Sequence, residues 1–487
     1  MKIDTPKYVY DACRHLKDNG FQAYVVGGAL RDSIIGKEPK DWDIATDAVP
    51  DEIESLFESK GIFTLPTGKD YGTITVFMPT GEISELIEIT TYRGKENYSA
   101  YTVTCTNCQH PQLHKEGEYV CSACKSTGFK KSPRARIVNF GTSIYQDISY
   151  RDFTMNAMAY DPIEHSLIDE YGGAGHIKAK LIQAVGYATL RFIEDPLRML
   201  RAIRFSAQLG FSLELCTRTA IFDQKHLLEI ISKERIRSEF DKILICSRTC
   251  LKETLFFMAD SGALHYIIPE LCKGIDMKQC GSHIHDVFTH NVIACTYMQP
   301  VPTLRLAGLL HDIGKPYVVS DDPDSGRHFY QHEYKGEVLV GDIMKRLRYS
   351  KDEISRVKNL VRNHMWAYNE DSKLSVARRL IRNVGYDNIE DIIELRLADR
   401  KASGRKGVGG SVIRLTKALR ELKAQDSVFS RKDLKVSGYD IIELGIKPGP
   451  AIGNIIDDLL ELVTDDVIPN EKEALINFVR ENKMDIR

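Results

Sequence analysis

The spacing of apolar residues changes several times along this chain, and each change predicts an element. Residues 1–20 (MKIDTPKYVYDACRHLKDNG) carry apolar positions at helical intervals and stop at Gly20, which predicts an amphipathic helix. Tyr24-Val25-Val26 reads as a buried strand end, and Gly27-Gly28 lets the chain turn sharply into a helix starting near Ala29. Residues 50–60 (PDEIESLFESK) return to helical spacing, capped by Gly61. Residues 71–78 (YGTITVFM) and 83–90 (ISELIEIT) are β-rich runs around a Pro-Thr-Gly turn, which predicts an antiparallel hairpin. Residues 136–140 (RIVNF) give a further strand. The N-terminal part thus reads as a small α/β domain with a mixed sheet. Beyond residue 150 the pattern is mainly helical, and Gly262 and Pro269 punctuate it ahead of a domain boundary at 270–282.

The polar residues set into this pattern point to chemistry. Asp41 and Asp43 are two apart, so on a strand both carboxylates face one side. Paired hard oxygens hold Mg²⁺, which binds substrate phosphates in turn. The helix that follows Gly28 aims its N-terminus, a favourable place for phosphate, at the same region. Alone, a double glycine is a turn and Asp-x-Asp a solvated loop; together they outline a nucleoside triphosphate–metal site. Glu88, in the run 83–90, is a candidate to share the face of the two aspartates and help with the metal, but it is left out of the direct ligand set.

Residues 191–205 (RFIEDPLRMLRAIRF) read as one helix, on which Asp195, Arg198, Arg201 and Arg204 form a stripe. The remaining positions are largely apolar, so the arginines are on a mostly buried helix and need anionic partners. Triphosphate oxygens or the edge of a base would serve, since an Asp–Arg pair offers both an acceptor and donors.

Two further groups stand apart. Cys105-x2-Cys108 and Cys121-x2-Cys124 place four thiolates on two knuckles, the spacing of a closed structural Zn²⁺ site with no open position for catalysis. The other seven cysteines are scattered and read as small hydrophobes or surface thiols. Later in the chain His290, the adjacent His311-Asp312 and the distant Asp399 form a mixed imidazole–carboxylate set that suits a divalent metal such as Mn²⁺, Fe²⁺, Ni²⁺ or Mg²⁺. His332 and His364 are candidates for extra ligands or phosphate contacts. A polar pair buried in the apolar run AGLLHDIGKP needs a partner, and a metal supplies one.

Composition adds only boundaries. At 487 residues, 43% hydrophobic and 28% charged, the chain is an ordinary multidomain globular protein. A net charge of −2 excludes a global basic field, so any surface for nucleic acid is local. Residues 401–435 hold ten Lys/Arg against three Asp/Glu, and 125–136 hold five with no acid. No apolar run reaches membrane-spanning length and no signal-peptide core is present, so a cytoplasmic protein without disulfides is expected.

Taken together, GGALRD (27–32), KDWDIAT (40–46), YGTITV, ITTYR (89–93), YRDFTMNAMA, EDPLRMLRAIRF and KERIRSEF resemble, in order, the motifs of the CCA-adding tRNA nucleotidyltransferases, which share a family with bacterial poly(A) polymerases. The resemblance implies a polymerase-β-like nucleotidyltransferase palm followed by all-α neck, body and tail regions that grip tRNA. It implies template-independent addition of C and A from CTP and ATP to the tRNA 3′ end. By position it assigns Asp41 and Asp43 to catalytic Mg²⁺, and Gly28 and Arg31 to the nucleotide phosphates. It likewise implies that Arg151 contacts the nucleotide, that Asp195 and Arg198 read the base edge, and that Arg201 and Arg204 support the substrate or triphosphate. Residues 285–400 are similar to the HD phosphohydrolases, with His290, His311, Asp312 and Asp399 as ligands. The implied divisions are a palm over 1–160 with the cysteine insert at 102–130, a neck and body over 161–275, an HD domain over 276–405 and a tail over 406–487.

Two departures stand out: the cysteine insert interrupts the loop after ITTYR, and Tyr150 occupies the usual first arginine of an RRDF motif. Both bear on the terminal-A step. Competing readings are a CC-only or A-only enzyme, a poly(A) polymerase, or an HD phosphohydrolase whose N-terminal half only binds RNA. The Asp195/Arg198 pair disfavours an A-only polymerase, and the intact Asp41/Asp43 pair disfavours the last reading.

Overall fold

The computed structural model describes residues 2–81, 83–94, 100–105, 111–115, 129–131, 140–279, 284–322, 326–424, 431–465 and 467–482. They form two compact units, 1–229 and 230–487.

The first unit is built on a seven-stranded mixed sheet. Helix α1 (Lys7–Asp18) precedes β1 (Ala23–Val26), α2 (Gly28–Ile35) and β2 (Asp43–Thr46). Then come α3 (Pro50–Glu58), β3 (Thr64–Gly68), β4 (Thr73–Pro79) and β5 (Ser84–Thr91). Proline at the start of α3 and the Glu52 carboxylate accepting from the Val49 N–H at 2.9 Å fix where that helix begins. β4 and β5 pair antiparallel, as the turn between them predicts, while β5 runs parallel to β2. After β5 come the three strands β6 (Ala100–Cys105), β7 (Pro111–Lys115) and β8 (Phe129–Lys131), which form their own antiparallel sheet. The chain leaves the main sheet at Arg93 and returns at Phe140, and these two residues bridge each other. The segment between them is therefore an excursion with its two ends side by side. Cys108, Cys121 and Cys124 lie outside the described residues, as do residues 136–139 of the strand expected at 136–140.

Helix α4 (Ile144–Ser149), β9 (Ala159–Asp161), β10 (Ser166–Ile168) and α5 (Gly173–Lys178) follow, completing the sheet order β10-β9-β1-β2-β5-β4-β3. Val26, Ala45, Tyr92, Ile144, Ile148, Ala157, Ala159 and Val185 form one core cluster of this unit. It anchors the ends of β1 and β2 that carry the candidate site.

The single helix expected over 191–205 is two. α6 (Ala188–Glu194) ends at Asp195, and α7 (Leu197–Leu209) starts after Pro196. Pro196 lacks an N–H and disfavours helical geometry at the residue before it; Asp195 is accordingly extended, at φ −139° and ψ 96°. Arg198, Arg201 and Arg204 remain on α7, whereas Asp195 sits in the break.

The second unit is largely helical. Its first long helix is Lys233–Leu244, on which Ile236, Phe240, Ile243 and Leu244 are buried. Of the histidine and aspartate residues singled out above, His290, His332 and Asp399 lie on the helices Val287–Tyr297, His332–Arg346 and Ile389–Ala402, while His311-Asp312 and His364 directly follow Pro302–Leu310 and Lys351–Asn363. The C-terminal helices close around Leu434, Val436, Ile441, Ile455, Leu459, Leu460, Val463, Leu475 and Val479. Among the described residues no helix is long and apolar enough to cross a membrane.

Candidate functional site

β1 and β2 lie antiparallel with Val26 opposite Asp43, so the strand that ends in the double glycine delivers it next to the second aspartate. Gly27 has φ +77°, and a Cβ there would lie 3.2 Å from Asp43 Oδ2 and 3.4 Å from an Arg151 guanidinium nitrogen. Only glycine meets both conditions. It leads directly into α2 at Gly28, so the helix N-terminus, Asp43 and Arg151 share one small volume.

Asp41 precedes β2 rather than lying in it, but the alternation is kept: Trp42 and Ile44 are buried, and Asp41 and Asp43 look to the other side. On the parallel neighbour, Glu88 is in register with Asp43. Burial, then the charges of Glu88 and Asp41, push the Asp43 carboxyl up to about 6, against the pull of Arg151 and Arg93. Three carboxylates crowd where one is partly desolvated. This oxygen donor set fits a hard divalent cation, which relieves the repulsion. The sequence makes Glu88 a candidate for the same face, and the parallel register of β5 with β2 is what puts it beside Asp43.

The arginines are tethered individually. Arg151 donates from Nε and a terminal nitrogen to Asp147 Oδ2 at 3.1 and 2.9 Å. Asp147 is buried and also accepts from the Arg93 backbone N–H, 3.1 Å away at the exit to the insert. The reading of the sequence missed Asp147; its spacing of four from Arg151 on and just past α4 was the available signal. Arg31 pairs with Asp32 at 2.8 Å and donates to Asn156 Oδ1 at 3.1 Å. Asp152 accepts from Asn156 at 3.1 Å and from Arg201 Nε at 2.7 Å. Burial raises the Asp152 carboxyl, but Arg201 and Asn156 outweigh it and hold it at about 2. A continuous chain of contacts, Arg31–Asn156–Asp152–Arg201, thus joins α2 to α7.

Arg198 is buried and held by three contacts: to Glu194 at 3.1 Å, to the Arg191 carbonyl at 3.4 Å and to the Tyr150 carbonyl at 2.7 Å. The Tyr150 contact uses backbone only, so tyrosine in place of arginine there leaves it intact. Asp195 accepts from the Leu197 N–H at 3.2 Å, which pins the break between α6 and α7. Gly28, Arg31, Asp41, Asp43, Arg151, Asp195, Arg198, Arg201 and Arg204 all belong to the first unit, on α2, at and just before β2, just past α4, in the α6–α7 break and on α7.

The second unit holds a separate cluster. His290 and His311 face each other at 3.1 Å between Nε2 atoms, and His332 and His364 at 3.3 Å. Asp312 lies between the pairs. Its Oδ2 is 3.5 Å from His290 and 3.4 Å from His311, and its Oδ1 is 3.2 Å from His332 and 3.6 Å from His364. Asp399 Oδ1 is 3.2 Å from His290. His311, His332 and His364 each direct Nδ1 at a backbone carbonyl (Gly308, Phe329 and Val361) at 2.7–2.9 Å. A donated Nδ1–H leaves each Nε2 as a lone pair aimed inward, the tautomer of a metal ligand. Two sets, His290/His311/Asp312 and Asp312/His332/His364, have ligand atoms close enough to hold an ion, and the donors fit divalent metals. Lys315 donates to Asp312 Oδ2 and to Gln279 Oε1, both at 2.6 Å. A cavity of about 370 Å³ opens onto the cluster, lined also by Arg327, Tyr330, Arg396 and Arg405.

Comparison with known proteins agrees with this architecture. Residues 23–183 match the family described as Poly A polymerase head domain, and residues 210–275 match Probable RNA and SrmB-binding site of polymerase A. Residues 332–479 match tRNA nucleotidyltransferase domain 2, putative. The CCA-adding enzyme of Bacillus licheniformis is 30% identical over 464 residues, covering 95% of this chain and 94% of its own. That of Lactobacillus johnsonii is 27% identical over 486 residues, 99% and 100% of the two chains. A shorter match, 41% over 229 residues, spans 47% of this chain and 47% of the Bacillus pumilus CCA-adding enzyme. The crystal structure of the Bacillus stearothermophilus CCA-adding enzyme in complex with CTP superposes with a TM-score of 0.67 at 23% identity, covering 99% of both chains. The fold is a polymerase-β-like nucleotidyltransferase head with helical C-terminal domains, and the chain belongs to the family of CCA-adding enzymes.

Proposed function

We propose that this protein adds C and A to the 3′ end of tRNA from CTP and ATP without a nucleic-acid template. The observation that carries the reading is the meeting of Asp43, Arg151 and the α2 N-terminus around Gly27. Asp41 and Asp43 hold Mg²⁺, and Glu88 adds negative charge beside them. When bound, the metal supplies Lewis-acid stabilisation for displacement at the α-phosphate. The chain's own groups do the positioning. Gly28 and Arg31 meet the phosphates, and Arg151, held by Asp147, contacts the nucleotide. Asp195 and Arg198 present acceptor and donor to the base, and Arg201 and Arg204 support the substrate or triphosphate. The palm, neck and body, HD and tail divisions implied by resemblance give these residues a head and a helical RNA-holding region.

Two metal sites accompany this activity in the proposal. Cys105, Cys108, Cys121 and Cys124 bind a structural Zn²⁺; the support is their spacing and the small separate sheet that carries Cys105. His290, His311, Asp312 and Asp399, with His332 and His364 alongside, form an HD-type centre for divalent metal; the support is the inward Nε2 atoms and the central Asp312. A phosphohydrolase centred there is the second reading.

The test is product identity. Purified protein is incubated with tRNA lacking CCA and with CTP and ATP, singly and together, and the 3′ ends are sequenced. The proposal expects CC from CTP alone and CCA from both. Ends stopping at CC with both nucleotides would reduce it to a CC-adding enzyme, and unchanged ends would remove it.

A further inference from the structure

Phe205 lies on α7 where three guanidinium groups meet. Its ring centroid is 5.1 Å from Arg31 Cζ, 5.4 Å from Arg201 Cζ and 4.3 Å from Arg204 Cζ. The side chain is almost fully buried, and Phe153 packs edge-on against it at 5.8 Å. Arg31 comes from α2, and the other two from α7 itself. Three like charges around one point repel one another strongly where water is scarce. Asp32 and Asp152 offset part of this from the side, through Arg31 and Arg201. The negative face of an aromatic ring attracts cations within about 6 Å, and all three arginines are inside that range. A leucine here would fill much of the space without that attraction. Packing alone therefore does not account for an aromatic residue at the convergence of three arginines from two helices.

We infer that Phe205 is a positioning residue of the nucleotide site: its ring holds Arg31, Arg201 and Arg204 together as the cationic array that receives the triphosphate of CTP or ATP. The inference rests on the reading that these arginines meet the nucleotide. Phe205 does not touch the reacting atoms. It acts through the guanidiniums by keeping them gathered before the anion arrives, so its effect belongs in nucleotide binding more than in the chemical step.

The experiment replaces Phe205 with pentafluorophenylalanine, which keeps the ring's shape and reverses its charge distribution, and in parallel makes Phe205→Leu, Phe205→Tyr and Arg201→Ala. Affinity for CTP and ATP is measured by calorimetry, and KM and kcat with tRNA lacking CCA. The fluorinated protein is expected to melt with the parent and to bind both nucleotides about three- to tenfold more weakly. KM should rise while kcat stays within about twofold. Phe205→Tyr should keep near-parental affinity, and Phe205→Leu should weaken binding like the fluorinated ring. Parental affinity in the fluorinated protein, with Arg201→Ala weakened, would show that the ring only packs and overturn the inference alone. Parental affinity in Arg201→Ala would remove the arginine reading itself, and the role of Phe205 with it. Should Phe205→Leu fail to fold, the fluorinated protein still decides.

Discussion

The two polar centres of this protein solve opposite problems. In the first unit, carboxylates and arginines converge from several strands and helices, and burial of Asp43 beside Glu88 and Asp41, only partly offset by arginine, raises its carboxyl to about 6. In the second unit, His290, His311, His332, His364 and Asp312 are buried together, and three of the four imidazoles are fixed by backbone carbonyls. One centre leaves its electrostatics to be completed by substrate and metal. The other gathers its imidazoles around one carboxylate in a geometry that fits the divalent ion proposed there. The difference teaches where each should be sensitive: the first to nucleotide and charge, the second to metal content.

The comparison can be broken at several points. Short of removing Asp43 itself, the largest effect expected is on bound metal. Asp312→Ala removes the carboxylate shared by both histidine pairs, so divalent metal retained after gel filtration, measured by elemental analysis, should fall by at least about tenfold. CTP incorporation should be unchanged; a parallel loss of incorporation would mean that the two centres are not independent. Next is Arg201→Ala, expected to weaken CTP and ATP binding by about tenfold, as for loss of a charge-assisted contact, with little change in metal content.

Asp152→Ala should be smaller in function and larger in stability. It leaves Arg201 without its 2.7 Å acceptor and should cost roughly 2 kcal/mol, seen as a lower denaturant midpoint. Smaller again is the effect of Asp43→Asn. A carboxyl raised from 3.8 to about 6 on folding is bound to its proton more in the native state, so its contribution to stability is present below pH 4 and lost as pH rises through 6. In EDTA at pH 8, Asp43→Asn should therefore melt a few degrees above the parent, and at pH 4 the two should melt together. A variant less stable than the parent at pH 8 would contradict the account of crowded carboxylates. Removal of zinc from the cysteine insert should change tRNA affinity least; a flatter salt dependence would show that the insert contributes phosphate contacts.

Much of this was legible in the sequence where the signal is local. Gly27-Gly28, the Asp41/Asp43 alternation, the β4–β5 hairpin and the run around His311-Asp312 each depend on neighbours within a few residues, and each is found where the pattern puts it. What was not legible depends on contacts between distant segments. Glu88 meets Asp43 only through a parallel register, and His332 joins His364 across two helices. The one helix expected over 191–205 is divided into α6 and α7. The regular Asp-Arg-Arg-Arg spacing suggested one helix, and Pro196 stops it. That break moves Asp195 off the stripe and to its head, where its carboxylate accepts from Leu197.

The most direct test of the central claim is the rate of labelled CTP incorporation into tRNA lacking CCA, measured in saturating Mg²⁺ for the parent, Asp43→Ala and Asp312→Ala. The account predicts a loss of about 10³-fold or more for Asp43→Ala and parental rates for Asp312→Ala. Incorporation retained by Asp43→Ala would contradict it, because the site around Gly27 would then not be where nucleotides are transferred.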